Sequence, residues 1–320
     1  MKRKIEGTEL KKKVFLAALL LTGSMAAASK VEAAKIRVVT TLPELGDIVR
    51  TVAGDLASVD VLARGTEDIH QVVMKPSFVA KLNKADALVY LGLGIEHSFL
   101  PGLLAASANP RLRADWTTTC LGEGCVDISA GVAVLEKPDT LSRAEGEKHP
   151  QGNPHYNLDP ENGGLMARNA AAGLSRIDPA NSERYKAGLE DYLRKHSAAL
   201  AELRKKAAAL KGLKAVSYHQ DTVYLGRFTG IEFVATVETK PGIAPSPRHL
   251  EKLVAEMKEK EVKLIVREQQ YEPKTCEWLA ERTGAKVAVI GTMAGALPGT
   301  RSVADLAERN VAALLEAAGK

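Results

Sequence analysis

Short apolar runs alternate with helical patterns from residue 36 onward, and this alternation restricts the fold more than any other feature of the sequence. In the first half the strand-like runs are Ile36–Thr41, Val59–Ala63 and Ala87–Leu91. In the second half they are Ala215–Tyr218, Phe233–Val237, Lys263–Val266 and Lys286–Ile290. Strands separated by helices form parallel sheets, because a parallel connection needs a crossover segment. The sequence therefore predicts an α/β fold.

A long helical stretch separates the two halves. Residues 181–210 are dominated by Ala, Leu, Glu, Lys and Arg, with no Pro and one Gly, a composition typical of a continuous helix. At ~1.5 Å per residue this helix would be ~45 Å long. We predict two lobes, each a mostly parallel sheet flanked by helices, joined by one long helix in a monomer. The expected segments are residues 34–180, the linking helix 181–211 and residues 212–320.

The first 33 residues have the pattern of an export signal. Lys11–Lys13 close a basic region, the apolar run Val14–Leu21 follows, and small residues come next, as in cleaved secretory signals. Cleavage fits after Ala28 or Ala33, and the second position starts the mature chain just before the first strand. The apolar run is shorter than the ~20 residues of a spanning helix. We therefore expect a periplasmic protein without a stable membrane anchor.

The charge balance argues against nucleic-acid binding. The chain has 44 basic and 39 acidic side chains, and 37 and 36 of these remain beyond residue 33. A nearly neutral body lacks the basic surface that phosphate contacts require.

Cysteine use also fits export. Cys120 and Cys125 enclose Leu-Gly-Glu-Gly, a flexible segment that would let them form a local disulfide in an oxidising compartment. The alternative, half of a metal site, lacks a second pair of ligands nearby. No cysteine precedes Cys120, so we expect no lipid-modified cysteine at the cleavage site. Cys276 has no evident partner, and we expect it to be buried on a helix.

Three of the seven histidines lie where loops could meet. His70 follows the run Val59–Ala63, His155 lies in a loop before a helix, and His219 directly follows Ala215–Tyr218. Loops beyond the carboxyl ends of parallel strands line the ligand crevice of an open α/β sheet. Three imidazoles there would form a zinc-type nitrogen site with room for a fourth ligand. Their spacing matches no compact metal motif, so position alone leaves surface or core roles open.

The other four histidines are less indicative. His196 lies among charged residues in the long helix, and we expect it to be solvated. The neighbours of His97 and His249 suggest ordinary residues. His149 lies close to His155 in the sequence, so it ranks between these ordinary residues and the candidate ligands. These interpretations rest on local context alone.

Three phrases of the sequence resemble a known family. They are Asp68-Ile-His70 followed by Lys75-Pro-Ser77, His149 to Pro160 with its Asn153-Pro-His155, and Tyr218-His219 with the Glu238–Pro247 segment. In this order they resemble the zinc/manganese solute-binding proteins of ABC transporters, the cluster A type. The resemblance covers the whole mature chain. It implies two lobes that bind a metal ion through His70, His155 and His219 and deliver it to a membrane ABC permease.

The fourth ligand is open. Relatives often supply a carboxylate after the last strand, but no acid lies between Ile290 and Asp305. Glu268, at the end of a strand, is one candidate and water is the other. We expect Asp68 and Glu67 to orient His70. Three imidazoles favour Zn²⁺, with Mn²⁺ second because it prefers more oxygen donors.

The sequence thus predicts a non-enzymatic periplasmic protein that binds Zn²⁺ with high affinity for import. One alternative is an exported zinc hydrolase that uses the same histidines with Glu268 or Asp68 as general base. Another is a siderophore- or haem-binding protein of the same architecture.

Overall fold

Two four-stranded parallel sheets organise the computed structural model, which describes residues 35–114, 120–138 and 149–320. The predicted export signal, residues 1–33, lies outside the described residues, so its cleavage stays a prediction. Lys35–Lys320 form one compact unit. Within the described parts of the chain, no helix combines the length and the apolar character needed to cross a membrane.

The first sheet is built from residues before the long helix. Its strands are β1 (Ile36–Thr40), β2 (Ala57–Val61), β3 (Ala87–Tyr90) and β4 (Cys125–Asp127), in the order β2-β1-β3-β4. The flanking helices are α1 (Pro43–Ala53), α2 (Pro76–Lys84), α3 (Leu100–Ala106) and α4 (Gly163–Ile177). Strand β3 is buried along its whole length, as expected for a central strand covered on both faces.

The long helix α5 (Ser182–Ala207) continues into a 3-10 turn, Ala208–Leu210, and contributes side chains to both lobes. Tyr185 and Tyr192, in its first half, belong to the hydrophobic core of the first lobe. Leu203 and Ala207, in its second half, belong to a core of the second lobe. The helix is therefore a shared wall rather than an external connector.

The second sheet repeats the topology of the first. Its strands are β5 (Lys214–Ser217), β6 (Glu232–Thr236), β7 (Leu264–Glu268) and β8 (Lys286–Ile290), in the order β6-β5-β7-β8. Its helices are α6 (Val223–Thr229), α7 (Pro247–Glu259), α8 (Lys274–Thr283) and α9 (Val303–Ala317). In each sheet the strand that comes first in the chain is central, and the next two strands pair with its two opposite edges. Loops at the carboxyl ends of these strands therefore border a crevice.

The predicted fold class is confirmed, with shifts at the boundaries. The run Val59–Ala63 was placed two residues late, because strand β2 pairs with β1 from Ala57 onward. Strand β4 and helix α6 were missed, since they are only three and seven residues long and carry little periodic signal. The predicted disulfide is confirmed between Cys120 and Cys125, with a Cα–Cα distance of 5.5 Å. Cys276 is buried on α8.

Candidate metal centre

The imidazoles of His70, His155 and His219, which we call the inner triad, converge between the lobes. One ring nitrogen from each lies within 4.8 Å of the others, and all three residues are at most 8% exposed. They come from separate segments: the loop after β2, the chain between β4 and α4, and the loop after β5. The three histidines identified in the sequence are thus brought together by tertiary structure, although 64 or more residues separate consecutive members.

A capped turn positions His70. The 3-10 turn Ile69–Gln71 starts at Asp68, whose Oδ1 accepts the backbone N–H of His70 at 2.9 Å. The other oxygen of Asp68 accepts the Gln71 side-chain amide at 2.9 Å. Glu67 accepts from the backbone of Arg64 and from Lys75. Asp68 therefore orients His70 through the backbone that carries the ring, whereas the hydrogen bonds of Glu67 go to Arg64 and Lys75.

A side-chain amide orients His155. Asn153 Oδ1 accepts both the backbone N–H of His155 at 3.1 Å and its ring Nδ1–H at 2.9 Å. The amide nitrogen of Asn153 donates to Glu136 and to the backbone oxygen of Gln220. This arrangement assigns the proton of His155 to Nδ1 and leaves the lone pair of Nε2 for a ligand role.

A carboxylate orients His219 in the same way. Ring Nδ1 of His219 lies 2.7 Å from Glu238 Oε2, and both side chains are about 6% exposed. Glu238 also accepts the backbone N–H of Gly242 at 3.1 Å. A carboxylate behind an imidazole fixes the tautomer and raises the basicity of the other nitrogen, which is the common arrangement for a metal-binding histidine. The sequence did not single out Glu238 for this role.

The rings of His70 and His155 are within hydrogen-bonding distance of each other. Their Nε2 atoms lie 2.9 Å apart, so in the metal-free protein His70 donates the proton to the lone pair of His155. Nδ1 of His70 is buried and has no hydrogen-bond partner among the residues that the structure describes. Buried polar groups are rarely left in this state. The triad is therefore a polar cluster with an unsatisfied nitrogen, and a bound cation would be a partner for its lone pairs.

The three rings differ in basicity. Burial, followed by the neighbouring imidazoles, lowers the pKa of His70 and His155 well below the ordinary histidine value. Burial acts in the same direction on His219, but the hydrogen bond to Glu238 and the charges of Asp221 and Asp68 raise its pKa overall. Two of the three rings are therefore neutral and ready to bind a metal ion without losing a proton to solvent.

Glu268, the predicted fourth ligand, lies at the end of β7 and is fully buried. Its Oε1 accepts the backbone N–H of His219 at 3.4 Å. Burial, followed by the charge of Asp221, raises the pKa of Glu268 well above its ordinary value. Among the residues that the structure describes, no carboxylate joins a histidine group at 4.8 Å. Burial and the neighbouring Asp221 therefore both act against a charged Glu268.

A second histidine group, which we call the outer triad, consists of His70, His97 and His149. Ring nitrogens of these residues also lie within 4.8 Å of one another. Local context pointed to an ordinary surface role for His97, because its neighbours Glu96 and Ser98 give no ligand pattern. No periodicity in the sequence relates the loop after β3 to His149.

His196 contradicts the expectation of a solvated residue. It is 7% exposed, its Nε2 lies 2.8 Å from the carbonyl oxygen of Pro160, and its ring stacks on Tyr192. Charged neighbours in the sequence occupy the other face of α5, so they do not report on this side chain. His249 donates within its own lobe, to the carbonyl oxygen of Thr236, and belongs to neither triad.

A cleft leads from the surface to these rings. His149, His155 and His219 line it. The rest of its wall is formed by Glu136, Lys137, Pro138, Gly152, Asn153, Pro154, Gln220 and Pro241. Each triad therefore contributes at least one imidazole to the wall of this cleft.

Comparison with known families places this geometry in context. Residues 38–317 match the family described as zinc-uptake complex component A periplasmic, or ZnuA. The chain belongs to this family. The ZnuA match includes both lobes and the long helix, and all members of both triads lie within it.

Individual ZnuA relatives and their structures agree with this assignment. The high-affinity zinc uptake system protein ZnuA of Paracoccus denitrificans is 27% identical over 91% of this chain and 93% of the relative. The metal ABC transporter substrate-binding lipoprotein ScbA of Streptococcus cristatus is 29% identical over 64% of each chain. A zinc-bound ZnuA deletion mutant superposes with a TM-score of 0.70 at 26% identity, covering 88% of this chain and 96% of that chain.

The chain does not span every relative. It covers 64% of the length of ScbA and 51% of the zinc-binding protein AdcA of Streptococcus pyogenes.

Proposed function

We propose that this protein is a periplasmic zinc-binding protein that carries Zn²⁺ to a membrane ABC permease for import. The observation that carries the proposal is the inner triad: three buried imidazoles whose nitrogens converge between two lobes. His70, His155 and His219 bind the ion, and Asn153 and Glu238 hold two of the rings in the tautomer that binding requires. The protein binds and releases its cargo and catalyses no reaction.

The donor set selects the metal. Three neutral imidazoles suit Zn²⁺, whereas Mn²⁺ favours sites with more oxygen ligands. Water completes the tetrahedron in this proposal, and Glu268 is the alternative fourth ligand. Water is favoured because burial and the charge of Asp221 raise the pKa of Glu268, and a carboxyl group must be deprotonated before it binds a metal ion.

The hydrolase alternative has less support from the same residues. A zinc hydrolase needs a free general base beside the metal-bound water. Both oxygens of Asp68 already accept hydrogen bonds, and burial together with the charge of Asp221 raises the pKa of Glu268 well above its ordinary value, which disfavours its charged form. The siderophore and haem alternative has no observation in its favour, and the proposal therefore names a bare cation.

Calorimetry with Zn²⁺ tests the ligand set. His155→Ala should weaken binding by at least about 100-fold, because one of three nitrogen donors is lost and the remaining shell is incomplete. His249→Ala is the matched control, since it removes an imidazole that belongs to neither triad. Equal affinities for wild type and His155→Ala would refute the proposed site, and turnover of a substrate by the zinc-loaded protein would favour the hydrolase.

A further inference from the structure

The outer triad has a construction that the proposed cargo site does not explain. The rings of His97 and His149 have centroids 5.5 Å apart. His97 Nδ1 lies 3.2 Å from the carbonyl oxygen of Gly94, so one nitrogen of this ring is fixed by a backbone acceptor and the other is left for a ligand role. An outer-shell acceptor of this kind is what orients a metal-binding histidine.

Exposure increases stepwise from the inner triad outward. His155 and His219 are 5% exposed and His70 is 8% exposed, His149 is half-buried, and His97 is exposed. Ring centroids of neighbouring members are 5.1 Å apart for His70 and His155, 5.4 Å for His70 and His149, and 5.5 Å for His97 and His149. The five rings thus form a continuous path of nitrogen donors from solvent to the buried site.

The path passes through one shared residue. His70 belongs to both triads, and a neutral imidazole offers only one lone-pair nitrogen at a time, because the other nitrogen carries a proton. The two triads therefore cannot both be complete, and an ion in one excludes a fully coordinated ion in the other.

We propose that His97, His149 and His70 form a second, outer site for a divalent cation, which receives the incoming ion and transfers it to the inner triad through His70. The inference rests on the proposed function, since it assumes that the inner triad is the destination. The outer site takes the same chemical class of ligand, a borderline cation that prefers imidazole nitrogen, of which Zn²⁺ is the example. It binds more weakly, because two of its three donors are accessible to water.

The equilibrium test separates the two sites. The double variant His155→Ala/His219→Ala removes two inner donors and leaves the outer triad intact. Titrated with Zn²⁺ alone, and with Co²⁺ for its absorption spectrum, it should retain one weak site with nitrogen ligands. Adding His97→Ala should abolish that residual binding, whereas adding His249→Ala should leave it unchanged.

Each result has a distinct meaning. Residual binding that survives His97→Ala, or its absence from the double variant, would overturn the outer site. A double variant that binds Zn²⁺ as tightly as wild type would instead refute the inner site and with it the proposed function.

A kinetic test uses an exposed position and so does not depend on tolerance of the buried variants. In the otherwise unchanged protein, His97→Ala should slow Zn²⁺ association several-fold in stopped-flow measurements, while calorimetry still gives one ion per chain. His249→Ala should associate at the wild-type rate. An unchanged rate for His97→Ala would overturn the transfer step.

Discussion

Two buried carboxylates lie close to His219, and they are held in different ways. Glu238 accepts from ring Nδ1 of His219, whereas Glu268 accepts the backbone N–H of His219, and its pKa is raised by burial and by the charge of Asp221. The two residues therefore form a matched pair for substitution by glutamine, which preserves the size of the side chain and keeps it uncharged at every pH.

We expect opposite results for this pair. Glu238→Gln should weaken Zn²⁺ binding about 10–100-fold, because the orienting carboxylate behind a metal-binding imidazole is lost. Glu268→Gln should change the affinity little, since an amide resembles the protonated acid. Competition titrations against a chelator measure both affinities. A large loss for Glu268→Gln would establish it as the fourth ligand and exclude water from that position.

Proton release gives a second prediction for the same ring. Binding requires all three imidazoles to be neutral, but the pKa of His70 and His155 is already well below the ordinary value. Only His219 has a raised pKa, so it holds a proton at a pH where the other two do not. Zn²⁺ affinity should therefore fall as the pH drops through the raised pKa of His219, with release of about one proton per ion rather than three.

Calorimetry in buffers of different ionisation enthalpy measures this number directly. In Glu238→Gln the pKa of His219 should fall, because the negative charge that stabilises the protonated ring is lost while burial remains, and the loss of affinity should move to lower pH. Release of three protons, or an unchanged pH profile in the variant, would contradict this account.

The sequence predicted the inner histidines but not their environment. His70, His155 and His219 follow recognisable phrases, and strand ends explain why two of them meet. Glu238 orients His219 from 19 positions further along the chain. His97 joins the outer triad because the loop after β3 folds toward His70 and His149. Such contacts depend on how loops pack against each other, and no periodic pattern in the sequence encodes that packing.

At the scale of elements, helix α5 packs closely against α1 through Gly188. A Cβ atom at this position would lie less than 3.0 Å from the carbonyl oxygen of Val52, a distance that real side chains do not adopt. The small residue therefore permits the close approach of the two helices.

Substitution of Gly188 should reverse the usual effect of helix propensity. Gly→Ala in a helix interior normally stabilises by about 0.5–1 kcal/mol, but Gly188→Ala should lower the free energy of unfolding by about 1–3 kcal/mol, because two backbones must move apart. Gly164→Ala in α4 is the control, since its Cβ would meet only a flexible Leu193 side chain at 3.3 Å. Chemical denaturation measures both, and equal effects would show that the helix contact tolerates the extra carbon.

The elements themselves were largely predictable, with errors of physical origin. Strand β8 matches the predicted Lys286–Ile290, because it is a full apolar segment between clear breaks. Strand β4 has three residues, and only its pairing with β3 makes it a strand. The prediction of a solvated His196 was wrong because the charged residues beside it in the sequence lie on the opposite face of the same helix.

At the scale of the whole molecule, one buried acid links the lobes. Glu44, on α1, accepts from the side-chain amide of Asn157 at 2.8 Å and from the backbone N–H of Ala294 at 3.1 Å. The same Asn157 amide donates to the carbonyl oxygen of Thr292. Burial raises the pKa of Glu44 from 4.5 to about 7. The contact between lobes is therefore sensitive to pH.

The sign of this sensitivity follows from proton binding. Between pH 4.5 and about 7 the folded protein keeps a proton on Glu44 that the unfolded chain has lost, so this residue lowers the free energy of unfolding as the pH rises. In Glu44→Gln the decline should be shallower. At pH 5, where Glu44 is itself protonated, the variant should differ little in stability from the wild type, because an amide resembles the protonated acid.

Denaturation of the metal-free protein across this pH range measures both effects. Glu96→Gln is a useful comparison, because Glu96 is also buried with a pKa raised to about 7 but bonds only within the first lobe, to Thr41 and the backbone of Leu91 and Gly92. Identical pH slopes for wild type and Glu44→Gln would show that Glu44 does not titrate in this window.

The shared helix also decides how the molecule comes apart. Since Tyr185 and Tyr192 complete one core and Leu203 and Ala207 complete the other, a chain cut on either side of α5 would leave one lobe without a wall. Neither lobe is then an independent folding unit, and heat should unfold both in a single calorimetric transition. An ion bound in the crevice would raise the unfolding temperature of residues far from it, because the shared helix makes both lobes unfold together.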